Sequence, residues 1–150
     1  MLTYNIPLLD FARKRVGYWG TPDWRMDFTT MDDSAAFTAA AALDASAPRV
    51  LRCASFQVTP TDLVAVTEAA FGTPFELVHL GSVEDLRAQT ARDRAAHPEG
   101  EAELMPSWQR SQYLQSMFST QHAALDNSRY PGIAWTGLAA VLAARKQGPR

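Results

Sequence analysis

The chain has little of what most small catalytic or metal-binding proteins depend on. One cysteine in 150 residues, Cys53, excludes an internal disulfide framework and any thiolate-rich metal site. Three histidines, at 79, 97 and 122, are spread too widely to suggest a ligand set; only His122 and Asp126 have the i, i+4 spacing that would place two ligands on one helix face. Charge of one sign is also missing: 14 basic against 16 acidic residues leave a net charge of −2, without the basic excess of a nucleic-acid binder. No apolar run approaches bilayer length, and Met1-Leu2-Thr3-Tyr4-Asn5 lacks the charged and apolar regions of a signal peptide. The expectation is a soluble cytoplasmic protein with neither nucleic acid nor membrane as partner.

Eight glycines never fall into the pattern that lets a strand turn tightly into a helix against a pyrophosphate. The nearest approach, Gly17-Tyr18-Trp19-Gly20, has no third glycine. The two lysines, Lys14 and Lys146, do not lie four residues after any tyrosine, so no phenol has a lysine placed to lower its pKa. No Gly-x-Ser-x-Gly elbow, Cys-His arrangement or phosphate loop occurs.

What is present is enough apolar residue, 47%, for one core of ordinary size, so residues 1–150 read as a single domain. Leu8, Leu9, Phe11 and Ala12 have mixed helical spacing and lead to the basic run Arg13-Lys14-Arg15, which suits a solvated helix end; residues 17–23 read as a turn-rich connection. A short strand is expected over Arg25–Thr29. An alanine-rich helix follows, capped by Thr30, Asp32 or Asp33, with Phe37, Ala40 and Leu43 inward. Arg49–Ser55 reads as a buried strand that hides the Cys53 thiol.

The clearest signal is Thr59-Pro60-Thr61-Asp62, a cap, a first-turn proline and a capping-box acid, followed by Leu63, Val66, Thr67, Ala70 and Phe71 on one face and Gly72 past the end. Phe75–Leu80 alternates like a strand, with His79 half-buried. Ser82 to Asp85 begins a charged surface helix that ends at His97-Pro98, and the acidic pairs Asp32-Asp33 and Glu84-Asp85 read as capping groups. A second amphipathic helix is expected between Glu101 and Gln121, broken or begun at Pro106. A loop over residues 126–131 and a final helix from Thr136, with Leu138, Val141 and Leu142 inward, complete the chain.

Four colinear segments resemble the C-terminal portion of NmrA-like and isoflavone-reductase-like proteins, atypical relatives of the short-chain dehydrogenases. They are Met26 to Ala35; Arg52-Cys53-Ala54-Ser55 with Thr59 to Gly72; Leu80 to Leu86; and Trp108 to Tyr113 joined to Asp126 to Pro131. The resemblance implies a mixed α/β fold, the substrate-side part of a Rossmann-like protein, with four to five helices and a few short strands. It implies NAD(P) for the full-length family, whereas this chain lacks the glycine-rich half and is expected to bind no cofactor and to perform no catalysis alone.

In that family the helix carrying Trp108, Tyr113, Met117 and Phe118 helps line the substrate cleft. The resemblance therefore makes these four the substrate-binding candidates, for a small apolar or aromatic ligand. Ordinary core packing is the competing reading of such a stripe, and Trp108 and Tyr113, five apart, do not share a helix face. The partner is expected to be a nucleotide-binding domain or further copies of the chain, covering the apolar surface that a missing domain would leave. A module that binds a small molecule or oligomerises without enzymatic activity is the alternative.

Overall fold

The structure, a computed structural model, describes residues 8–103, 106, 108–122 and 124–146. It is a mixed α/β fold of five helices with short strands in two small sheets. In chain order the elements are β1 (Leu9–Asp10), β2 (Arg15–Trp19), β3 (Met26–Phe28), α1 (Met31–Leu43), β4 (Phe56–Val58), α2 (Pro60–Phe71), β5 (Glu76–Gly81), α3 (Val83–Ala96), α4 (Gln109–Met117) and α5 (Leu138–Lys146). Short 3-10 turns at Pro98–Ala102 and Asn127–Arg129 precede α4 and α5.

The first sheet has the order β1-β2-β5, with β1 antiparallel and β5 parallel to β2. Its opening corrects the expectation of a helix at Leu8–Ala12 and of a turn at residues 17–19. The Asp10 carboxylate accepts the Arg13 N–H at 2.9 Å and its guanidinium at 3.0 Å, which closes a turn before a helix can propagate. Lys14, at φ 54°, reverses the chain, and its carbonyl accepts the Glu76 N–H. Gly17 then lies inside a strand: a Cβ there would stand 2.8 Å from Leu80 Cδ1, so the glycine admits the Leu80 side chain over the sheet.

The second sheet pairs β3 with β4, Met26 opposite Val58 and Phe28 opposite Phe56, with the two phenyl rings stacked at 5.5 Å. The strand expected over Arg49–Ser55 is displaced to Phe56–Val58. Residues 51–54 form no ladder because side chains from the 126–127 turn occupy their backbone. Arg52 N–H donates to the Asp126 carboxylate at 2.7 Å, and the Asn127 amide both accepts from Ala54 N–H at 3.2 Å and donates to its carbonyl at 2.8 Å. An amide side chain here imitates a neighbouring strand.

Helix α2 forms as its residues dictate, with the Thr59–Asp62 capping box, Pro60 in the first turn and Gly72 at φ 67° after the last. Leu63 and Thr67 are fully buried where α2 meets α5 and the first sheet, and Leu138 and Leu142 answer from α5. In α3, Ser82 and Asp85 make a second capping box, and Leu86 and Thr90 face inward. The Thr90 hydroxyl is satisfied by the Leu86 carbonyl at 2.8 Å, which makes its burial tolerable. Helix α4 is shorter than its expected span, since residues 98–102 wind as a 3-10 turn.

Helix α1 differs most from expectation on its packing face. Phe37 is buried against Tyr130 and Trp135, with ring centroids 5.2 and 5.8 Å away, but Leu43 is 89% exposed and Ala40 only half-buried. Met31, at the other end, is equally exposed at 89%. The helix is held through the face carrying Asp33 and Phe37, and its outward residues are Asp32 and alanine, serine and threonine side chains between the exposed Met31 and Leu43. No helix of the described residues is long and apolar enough to cross a membrane.

This packing separates two leucines of similar sequence context. Leu63→Ala should lower the free energy of unfolding by about 3 kcal/mol in urea titrations, since it opens a cavity in the core. Leu43→Ala should change it by less than about 0.5 kcal/mol. Equal costs would mean that α1 packs through another face.

Candidate functional site

Helices α3 and α4 pack side by side, and a groove of 530 Å³ opens along their junction. Arg87, Thr90, Ala91, Arg94 and Ala95 fall at i, i+3, i+4, i+7 and i+8 on α3, so one stripe supplies its wall; Pro98 and, from α4, Gln112 and Gln115 complete it. The floor is small and apolar, and the rim carries guanidinium and amide groups. Such a surface suits a ligand with a carboxylate or carbonyl edge on an apolar body.

The rim is partly preorganised. Arg94 lies over the Trp108 ring at 4.8 Å, a cation–π contact, and Arg87 approaches Glu84 at 3.8 Å. Trp108 is buried at the start of α4, against Gly100, and its Nε1 has no hydrogen-bond partner among the described residues. The Gln109 Oε1 is buried and unpartnered as well.

The four candidates on the α4 segment scatter rather than converge. Phe118, 1% exposed, belongs to the central core, and Trp108 packs under Arg94. Tyr113 is exposed on the far side. Met117 is half-buried and contributes its carbonyl, which accepts the Trp24 indole N–H at 2.9 Å. None of the four lines the groove. The residues that do were legible only as spacing: Arg87, Ala91 and Arg94 share a face that reads as the solvated side of a charged helix, beside Thr90, which reads with Val83 and Leu86 as its apolar side.

The titratable side chains serve mainly as clasps. Asp33, at the third position of α1, is 5% exposed; its carboxylate accepts the Thr136 N–H at 2.9 Å and the Thr136 hydroxyl at 3.0 Å. Burial pushes its pKa up, but hydrogen bonds from Ser55, Thr136 and Thr30 outweigh that and hold it below the usual carboxylate range. Asp44, just past α1, accepts from Ser46, from the Arg129 guanidinium at 2.8 Å and from the Tyr130 hydroxyl at 3.1 Å, and is lowered further still. Capping alone, the expected role of Asp33, is therefore too narrow an account.

The histidines follow three separate courses. His122 and Asp126 do not lie on a helix: His122 Nδ1 meets Asp27 Oδ2 at 2.9 Å, while Asp126 holds the Arg52 backbone. Gln57 donates to the other Asp27 oxygen at 2.7 Å. His79, expected half-buried, is exposed and its ring lies tilted against Tyr18 at 5.1 Å, and His97 pairs with Glu99 at 3.1 Å. No group of three His, Cys, Asp or Glu side chains among the described residues is placed to hold a metal ion. The Cys53 thiol is half-buried, and burial together with Asp33 and Asp126 raises its pKa, which keeps it protonated.

The Asp33 clasp has a definite pH signature. Its folded pKa lies below 3.8, so its contribution is complete above that value and is lost as pH falls through the folded pKa. At neutral pH Asp33→Asn should destabilise by about 2 kcal/mol, the scale of hydrogen bonds to a charged acceptor. The gap between wild type and variant should narrow below about pH 4 in acid-titrated denaturation curves; a constant gap would show that the charge contributes nothing.

Comparison of the sequence with models of known protein families and with curated proteins gives no match, so fold and site geometry carry the functional argument.

Proposed function

We propose that the chain is the substrate-side domain of an NmrA-like NAD(P)-binding oxidoreductase or redox-sensing regulator, and that it does not perform catalysis by itself. The observation that supports this most is the outward face of α1. Met31 and Leu43 are both 89% exposed, with Asp32, alanines, a serine and a threonine exposed between them and a hollow of 690 Å³ over the first turns. In this reading a second domain covers both side chains, which are otherwise left in water at the two ends of the helix.

In this reading the α3–α4 groove holds the small ligand, with Arg87, Gln112 and Gln115 orienting its polar edge and Ala91 and Ala95 accommodating its body. The dinucleotide binds on the second domain. The glycine-poor loops and the absence of a Tyr-x-x-x-Lys pair in the sequence agree with that division.

Calorimetry with NADPH tests the proposal. The chain alone should take up no dinucleotide and turn over none. A nucleotide-binding domain of the NmrA-like type, added in trans, should associate with it, and Met31→Glu with Leu43→Glu should weaken that association at least tenfold without altering the circular dichroism. Binding of NADPH by the chain alone would refute the reading, and so would indifference of the association to both substitutions.

A further inference from the structure

Of the three imidazoles, that of His122 is held by a carboxylate which is itself held. His122, in the loop after α4, directs Nδ1 at Asp27 Oδ2, 2.9 Å away, and Gln57 donates to the other Asp27 oxygen at 2.7 Å. Asp27 and Gln57 are opposed in the β3–β4 ladder, and Met26 and Phe28 turn into the core, so the pair lies on the outer face of that sheet with the imidazole against it. A carboxylate oxygen can only accept, so the proton of the neutral ring sits on Nδ1 and the Nε2 lone pair is left free. Nε2 has no hydrogen-bond partner among the described residues and reaches solvent, the side chain being 39% exposed.

The same face carries a cation. Alternation along the extended chain places Arg25 on the side of Asp27; it is exposed, and its side chain makes no hydrogen bond or ion pair among the described residues. Residues two apart on one strand face stand about 7 Å apart, within reach of an arginine side chain. We propose that His122 is a phosphoryl-accepting nucleophile: Nε2 attacks the phosphorus of a small high-energy phosphoryl donor while Arg25 holds the phosphoryl oxygens and Asp27 positions the ring. With phosphoramidate as donor, the Nε2 lone pair forms the new N–P bond, the donor's own P–N bond breaks, and its electron pair leaves with ammonia. The ring keeps its Nδ1 proton and becomes cationic, and the Asp27 carboxylate balances that charge.

The other two histidines lack this arrangement. His97 meets Glu99 at 3.1 Å, but the Glu99 side chain is 66% exposed and water competes for both partners. His79 is exposed beside Tyr18. The guanidinium selects a phosphoryl donor over an uncharged acyl donor, because its fork matches the phosphoryl oxygens and their charge. This inference does not rest on the function proposed above, since it uses the β3–β4 face and neither α1 nor the α3–α4 groove.

Incubation of the folded chain with phosphoramidate, followed by phosphorus NMR and site mapping by mass spectrometry, tests the proposal. Phosphohistidine should form at His122 roughly tenfold faster than at His79 or His97, and the preference should vanish in denaturing urea. Nitrogen NMR should show the His122 ring as the Nδ1–H tautomer. Asp27→Asn should slow modification of His122 both by phosphoramidate and by the uncharged electrophile diethyl pyrocarbonate, whereas Arg25→Gln should slow phosphoramidate alone. Equal rates at the three histidines of the folded wild type, a comparison that needs no variant to fold, would overturn the proposal. So would an Arg25→Gln variant that phosphoramidate modifies as fast as wild type, or a folded Asp27→Asn variant with undiminished reactivity.

Discussion

The Asp33 carboxylate ties the segment ahead of α5, which neither sheet reaches, to the point where the β3–β4 ladder meets α1. It projects from the first turn of α1, accepts the Thr136 backbone and hydroxyl ahead of α5, and meets the Ser55 hydroxyl, which itself accepts the Thr30 N–H at 2.9 Å at the entry to α1. A buried carboxylate is costly unless its lone pairs are filled, and here hydroxyl and backbone donors fill them without a counter-cation. The placement of the first turn of α1 depends on this group.

A second tie works at the other end of the same helix. Asp44 gathers Ser46, Arg129 and Tyr130, so the 127–130 turn is fastened to the helix exit. Tyr130 serves twice, since its ring also packs on Phe37. The polar ties at both ends and the aromatic contact in the middle let α1 lie against loops rather than against another helix. That arrangement leaves the outward face available for a partner.

The α3–α4 pair is organised differently. Apolar anchors, Leu86, Leu114 and Phe118, hold its inner side in the core, while the outer side keeps arginine and glutamine around small residues. Because the anchors fix the two helices, the rim side chains need not contribute to stability and can be used for recognition. The outward face of α1 and the α3–α4 groove thus lie on separate elements.

Elements whose information is local were legible in the sequence. The caps at Thr59 and Ser82, the start of α1 within residues 30–33, the glycine ending α2 and the inward residues Leu63 and Leu142 all follow from spacing and side-chain chemistry within one or two turns. What failed to be legible depended on partners far along the chain. The opening apolar segment became a hairpin through Asp10, Arg13 and a bond from Glu76. Residues 51–54 lost their strand to Asp126 and Asn127, more than seventy positions away. Leu43 was left in water because α1 is anchored elsewhere, and His122 turned from Asp126 to Asp27. The groove became visible only when α3 and α4 met, since neither arginine nor glutamine announces a binding site until a second helix supplies the opposite wall. Sequence alone determined where the capped helices α2 and α3 begin and which residues of α2 face the core; tertiary structure decided which other segments became helices and which faces found a partner, because burial and hydrogen bonding are settled between segments and not within them.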